Sequence, residues 1–463
     1  MSAGRERAQD RDEQPPAAVP AEAPSVAPAG LGGFSGTLTP GAVLALQRSA
    51  GNEAVGRALA SAGAPVGVYR EGLLDALDLR DDEERLDAEE DLEDFRKQPL
   101  APLTNHKPSS GLGTFDVAAD MRAGTMTVTL KVAYKFVDGD ASTVAKGYRP
   151  EEFKWDPAEK TAWKTRYQTD VGAMWSARFQ AKSTKKHWDK MVVDTTVKVV
   201  EDDAAPHFTL TVSKYPPDAG MIQSSICPPG YHHDAGRCLA NAAGDKTGSA
   251  KLDSNDMRPE QKLDWGNATS TIQFAEGSDA LDGAGKAALA PIVSALKGKP
   301  EAHVQLTGRA STTHKRGVTA DDGAIANMDH ARNRTAAVQA ELAAQGVAPD
   351  QFLIRNQGEN GAGAGKEWCR VDAQVGTKQT QNPALHETGH MLGSDDEYTM
   401  TGTPAGAAMG AKYDGMIKAQ TGDVVTAGDN ESAMSLGSTV RKWNYAAFLE
   451  GLKAVTKKNE WTL

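Results

Sequence analysis

Cysteine is scarce in this chain of 463 residues, with only three present, so no disulfide framework holds the fold. Surplus positive charge is also missing. Lys and Arg total 51 against 62 Asp and Glu, a formal net charge of -11. That balance excludes nucleic acid or an anionic membrane as the main partner, because both require a basic face. No apolar run approaches the roughly twenty residues that cross a bilayer. The opening stretch MSAGRERAQDRDEQPPAAVP has neither an apolar segment nor a small-residue cleavage site, so it does not read as a secretory signal. The expectation is synthesis in the cytosol, with any export by another route. What remains, 39% hydrophobic and 24% charged residues, suits globular domains, and the length suits two or three of them.

Residues 1–36 are rich in Ala, Pro, Gly and charge and are expected to be disordered, since they cannot bury enough apolar surface to offset their ordering entropy. Residues 37–62 contain LTPGAVLALQRSAGNEAVGRALA, in which Thr39 can cap, Pro40 suits the first helical position, and Leu44, Leu46, Val55 and Leu59 form a short amphipathic pattern. This is a helical hairpin or a docking peptide. Its LQRxAGNxAV core resembles a segment of proteins associated with extracellular contractile injection systems, the phage-tail-like particles of bacteria. That resemblance implies particle proteins as partners. Residues 63–112, including DLRDDEERLDAEEDLEDFR, read as an acidic linker or solvated helix.

From residue 113 the pattern becomes globular. In GTMTVTLKVAYKFVDG, Met126, Val128, Leu130, Val132, Tyr134 and Phe136 alternate with Thr and Lys, which predicts a half-buried strand. Trp163, Tyr167, Val171, Met174, Trp175 and Phe179 recur at helical spacing after Asp156-Pro157 and predict a core-facing helix. Two more alternating segments complete a strand–helix–strand–strand block over 113–225, and a turn-rich loop is expected over 226–267. Within that loop Cys227 and Cys238 bracket CPPGYHHDAGRC, where they close a local bridge or remain free thiols. With His232 and His233 they also make a small His/Cys cluster, but its spacing matches no zinc pattern.

Residues 268–377 alternate strands and helices in an order that resembles the OmpA-like peptidoglycan-binding domain. The residues carrying the resemblance are the STIQF opening, Asn327 with Arg334 in NMDHARNRTAAV, and NQGEN. In that family an aspartate and an arginine grip the peptide stem of peptidoglycan. Arg334 matches the arginine, whereas the aspartate position falls on Ser311. A hydroxyl cannot replace a carboxylate without losing a charge-assisted bond of about 1.5–3 kcal/mol. The resemblance therefore implies the fold, an α/β sandwich, with half of the ligand clamp missing.

The strongest chemical signal is HETGHMLGSDDEY, residues 386–398. On a helix, His386 and His390 lie one turn apart on one face and reach a single ion. Glu387 stands beside them, placed to deprotonate water rather than to ligate. A catalytic zinc takes three protein ligands and keeps one open position. Gly393 permits a left-handed turn that brings Asp395, Asp396 and Glu397 back towards the metal. The spacing HExxHxxGxxD resembles that of the metzincin zinc proteases, with Asp396 in place of the usual third histidine and Glu397 as second choice. ESAMSLGST resembles the methionine turn of that clan, which would make Met434 its methionine. In VRKWNYAAFLEGLKAV, Tyr445 is either an oxyanion stabiliser or a packed aromatic. A glutamate ligand further on is not expected, because 399–432 offers no convincing helix to carry one.

Residues 378–463 are too few for a protease core of their own. The missing half is the block over 113–225, whose DVGAMWSARF helix resembles the first helix of metzincins. The fold class expected is α+β: a metzincin-like protease domain of mixed twisted sheet plus helices, interrupted by an OmpA-like insert. Insertion costs little where the ends of the insert lie close together. The resemblance implies a zinc-dependent endopeptidase acting on protein or peptide substrates, either as cargo of a contractile injection particle or as a processing factor. The rival expectation is a non-catalytic protein that binds particles or cell wall through its OmpA-like module.

Overall fold

The computed structural model describes residues 84–463, apart from 221–222, 235–236, 259, 315–316, 398–403 and 426–428. The segment 1–36, expected to be disordered, and the segment 37–62 with its injection-system resemblance lie outside the described residues. Asp87–Leu463 folds as one body.

The main sheet has nine strands. They are β1 (Leu103–His106), β2 (Phe115–Asp120), β3 (Thr125–Val137), β4 (Gln180–Ser183), β5 (Val192–Glu201), β6 (Phe208–Ser213), β7 (Ser225–Cys227), β10 (Gly248–Asp253) and β15 (Trp461–Thr462). Between β7 and β10 stands a separate hairpin, β8 (Tyr231–Asp234) and β9 (Arg237–Ala240). The alternation read from the sequence becomes β3, where Met126, Val128, Leu130 and Val132 are buried. β3 pairs in parallel with β5 and β6, and β6 in turn with β10. β7 closes that end of the sheet, antiparallel to β10.

Across this sheet lies α2 (Pro157–Trp175); the helix before it, α1, spans 84–97. α2 begins at a capping box in which Asp156 accepts from the Glu159 amide at 2.8 Å, with Pro157 at the first helical position. Its inward stripe is Trp163, Tyr167, Val171, Met174 and Trp175. A buried side chain of this size contributes about 1.5–3 kcal/mol.

The OmpA-like module carries a four-stranded sheet in the order β11 (Glu260–Gln273), β14 (Arg370–Gln381), β12 (Ala302–Arg309), β13 (Phe352–Gly358). Helices α3 (Gly283–Ala287), α4 (Ala290–Leu296) and α5 (Ala320–Ala344) complete it, around a core of its own that includes Ile292, Val304, Leu306 and Val338. β11 and β14 run antiparallel, with Glu260 opposite Gln381. The module therefore leaves the body and rejoins it at one place. Beyond it come α6 (Pro383–Met391), α7 (Pro404–Thr421) and α8 (Ala446–Thr456). A single hydrophobic core joins the two flanks of the insert, with Phe115, Leu130 and Trp175 from one and Met391, Met434 and Phe448 from the other.

Three expectations are corrected. The acidic linker over 63–112 is helical over 84–97 and then enters the sheet as β1. Ala88, Leu92 and Phe95 recur at helical spacing among the charges and are buried, with Phe95 stacked on Trp188 at 5.2 Å. The loop over 226–267 holds β7–β10 and the start of β11, short strands that Pro and Gly turns disguise. The helix judged missing from 399–432 exists as α7, where Tyr413, Met416 and Ile417 are buried at helical spacing. It contains no glutamate.

The module is also pinned to the body from the side. Arg332 on α5 donates Nε to Asp218 at 2.8 Å, ion-pairs with Glu152, and lies over the Tyr148 ring at 5.0 Å. Arg332→Ala leaves two carboxylates facing one another. With the site about a quarter exposed, the expected loss is about 1–3 kcal/mol in denaturant unfolding, between the values for exposed and buried pairs. Arg332→Lys is expected to recover only part, because an ammonium cannot fork between two acids.

Candidate metal centre

Helix α6 is capped by Asn382, whose side chain accepts from the Leu385 amide at 3.2 Å, and Pro383 occupies its first position. It ends where Gly393 adopts φ +99°, a conformation that glycine supplies at least cost. A side chain at Gly393 would also meet Pro108 Cγ at 2.8 Å. The reversal turns 394–397 back under the helix, with the Ser394 amide donating to the Gly389 carbonyl at 3.0 Å.

Three ligand atoms converge as a result. His386, His390 and Asp396 each present one within 4.8 Å of the others. Asp396 Oδ1 lies 3.0 Å from His386 Nε2 and 3.3 Å from His390 Nε2. The rings sit 5.0 Å apart at 90°. His386 Nδ1 donates to the Ala433 carbonyl and His390 Nδ1 to the Ser394 carbonyl, each at 2.9 Å. A carbonyl only accepts, so each Nδ1 carries the proton and each Nε2 is directed at the shared point. Metal-bound histidines are oriented in this way.

The electrostatics follow from that convergence. Burial alone would lower His390, but Asp396 overrides it and holds the imidazole up to about 10. Burial alone would raise Asp396, yet the two imidazoles hold it far below the usual carboxylate range. Burial raises Glu387, and His390 and His386 partly offset the effect. A divalent cation at this point would replace the proton that the imidazoles and the carboxylate hold between them. Two imidazole nitrogens and one carboxylate oxygen form a donor set that zinc accepts.

These residues line a cavity of about 290 Å³ with Phe208, Ser224, Ser225, Ile226 and Pro228. Glu387 faces this cavity, beside the two histidines rather than among the convergent ligand atoms.

The other candidates fall in different places. Glu397 is turned away, and accepts from Trp443 Nε1 at 2.8 Å and Asn444 Nδ2 at 2.7 Å. Met434 is fully buried against the site helix, in a turn where the Ala433 amide donates to the Thr439 carbonyl at 2.8 Å. Tyr445 is not at the cavity. Its hydroxyl donates to the Trp175 carbonyl at 2.6 Å and accepts from the Arg178 amide at 3.0 Å, so the oxyanion role is replaced by a structural tie. Arg334, in the module, is 1% exposed; its guanidinium donates to the Ser278 and Arg309 carbonyls. It lines a second cavity of about 390 Å³ with Ser311, His314, Asn327 and His330.

Sequence reasoning missed the supports. Thr388 donates to the Ala384 carbonyl at 2.7 Å, so the Tyr167 hydroxyl 2.8 Å away donates to Thr388, linking α2 to α6. Asp256 is fully buried and accepts from Ser224 Oγ at 2.7 Å, while its carbonyl accepts from the Ala384 amide at 3.2 Å. No local spacing announces either contact. In the module, Glu359, the glutamate of the NQGEN segment, bonds His314 at 2.7 Å and Asn327 at 3.0 Å, contacts that the motif by itself does not specify.

Comparison with known proteins bears on the module alone. Residues 273–367 match the OmpA family. Among solved structures, the OmpA-like domain of FopA1 from Francisella tularensis is 20% identical, with 28% of this chain and 88% of that chain covered at a TM-score of 0.21. The peptidoglycan-associated lipoprotein of Burkholderia pseudomallei is 20% identical, covering 24% of this chain and 90% of that one at 0.19. The C-terminal domain of Helicobacter pylori MotB is also 20% identical, covering 23% and 84% at 0.20. No curated protein matches the chain. Residues 273–367 thus form an OmpA-like domain within a mixed α+β chain. Among the described residues, no helix is long and apolar enough to cross a membrane.

Proposed function

We propose that this protein is a zinc-dependent endopeptidase, associated with a phage-tail-like contractile injection particle as cargo or processing factor. The observation that carries the catalytic part is the convergence of His386, His390 and Asp396 within 4.8 Å on a cavity that Glu387 also faces. The particle association rests on the LQRxAGNxAV resemblance alone.

His386 Nε2, His390 Nε2 and Asp396 Oδ1 would hold the ion. Zinc, when bound, lowers the pKa of water to about 7 and polarises a carbonyl. The remaining work belongs to the chain. The Ala433 and Ser394 carbonyls fix the ring orientations. Glu387 Oε accepts the proton of the attacking water and returns it to the departing amide nitrogen. Its burial keeps that proton from exchanging freely with solvent.

Metal content tests the site directly. Elemental analysis under mild chelation is expected to find one zinc per chain in the parent and none in His390→Ala. Parent protein without zinc would sink the catalytic reading. A second reading, an interaction protein working through the OmpA-like domain, is favoured by the family match over 273–367 and by the cavity at Arg334. Pull-down on purified peptidoglycan, with Arg334→Ala as control, separates the two.

A further inference from the structure

We propose that the Cys227–Cys238 disulfide is a redox-controlled latch on the wall of the catalytic cavity, an inference that rests on the peptidase reading of that cavity. The bridge joins β7 to β9 across a sequence separation of 11 residues, with a Cα–Cα distance of 5.4 Å. Cys227 is flanked by Ile226 and Pro228, and Ser224, Ser225, Ile226 and Pro228 all line the cavity with His386 and Glu387. β7 is three residues long, ends the sheet, and pairs only with β10 among the described residues. So short an edge strand is weakly held by its ladder. The hairpin braces it from outside: His233 Nε2 meets Ser225 Oγ of β7 at 2.9 Å, while His233 Nδ1 meets Ser249 Oγ of the neighbouring β10 at 3.0 Å. The disulfide is the covalent part of that brace.

The two sulfurs differ in access, which gives the latch a direction of opening. Cys227 is fully buried, whereas Cys238 is exposed. An external thiolate therefore attacks the Cys238 sulfur and expels Cys227 as a thiolate. A second external thiol then releases Cys238, and the reductant leaves as its own disulfide. Closure is the reverse. Both cysteine thiols give up their protons and two electrons to a low-molecular-weight disulfide, which departs as two thiols. In the closed form the cavity wall is fixed; in the open form β7 is held without a covalent tie, by its short ladder to β10, the packing of Ile226 on the core and the one Ser225–His233 contact.

The test compares the full-length zinc-loaded protein, oxidised and after a phosphine reductant, beside the Cys227→Ser/Cys238→Ser double variant. Amide exchange is read over 223–241, and cleavage is read on a mixed peptide library. Reduction is expected to speed exchange over 223–228, with metal content constant, and to lower kcat/KM by about ten- to a hundredfold. The double variant should match the reduced form with or without reductant. Unchanged exchange with equal zinc-dependent cleavage in both states would overturn the latch and leave the peptidase. Faster exchange with no cleavage by either form would overturn the peptidase and keep the latch as a conformational switch.

Discussion

Glu387→Gln is expected to lower peptide hydrolysis by about 10²- to 10⁴-fold while metal content stays at the parental level. Glutamine has the shape of glutamate and can still hydrogen-bond water, but it cannot take a proton. The metal set of His386, His390 and Asp396 is untouched by the change. Replacing a buried carboxylate by an amide also removes its desolvation cost, so folding stability should hold or rise. Activity and stability thus move in opposite directions, a pattern that misfolding cannot imitate. Parallel cleavage assays and thermal unfolding check it. Activity retained in the variant would mean that another group moves the proton, or that the cavity is not a peptidase site.

Gly389→Ala is expected to destabilise the fold by about 1–3 kcal/mol and to weaken metal retention. In an exposed helix this exchange would stabilise by about 1 kcal/mol, because alanine loses less backbone entropy. Here a β-carbon would overlap the Met434 sulfur and come within 2.9 Å of Trp175 Cζ2. The indole is fully buried and cannot swing aside. Overpacking therefore outweighs propensity, and the helix must lift off its floor and carry His386 and His390 with it. Met434→Ala alone opens a cavity and costs about 2–5 kcal/mol. The double variant should cost less than the sum, since one change makes room for the other. Strict additivity in unfolding experiments would mean that the glycine and the methionine do not share this contact.

Much of the site was legible because its chemistry is local. His386, Glu387 and His390 share one helical turn, so spacing alone places them together; Gly393 brings three acids back within one reversal, and the metzincin resemblance singled out Asp396 among them. The OmpA-like order of strands and helices was legible through the family resemblance carried by STIQF, Asn327 with Arg334, and NQGEN, since strands such as β12 are buried on both faces and show no clean alternation. Tyr445 was legible as a packed aromatic, against Phe179 and Phe448, but the carbonyl of Trp175 that occupies its hydroxyl was not. α1 hid behind its charge: the residues that bury are three of fourteen, and their partner Trp188 lies far along the chain. α7 hid behind glycine and threonine, whose propensities disfavour helix until Tyr413, Met416 and Ile417 find a core. Asp256 and Ser224 were invisible, since a buried carboxylate bonded across a fold leaves no pattern in either segment.

The paired strands β11 and β14 have a mechanical meaning. β14 ends at Gln381, and the next residue, Asn382, caps the helix that bears both histidines. No slack chain separates the two. Gln381 also donates to the Ser435 carbonyl at 2.6 Å, on the turn beneath that helix. The stem thus runs without a break from the module into the cap of the site helix. A tug on the OmpA-like domain, by whatever it grips, would be transmitted through a hydrogen-bonded ladder to the base of the site helix. Under the proposed peptidase reading, load on the domain and the placement of His386 and His390 would then be coupled rather than merely strung on one chain.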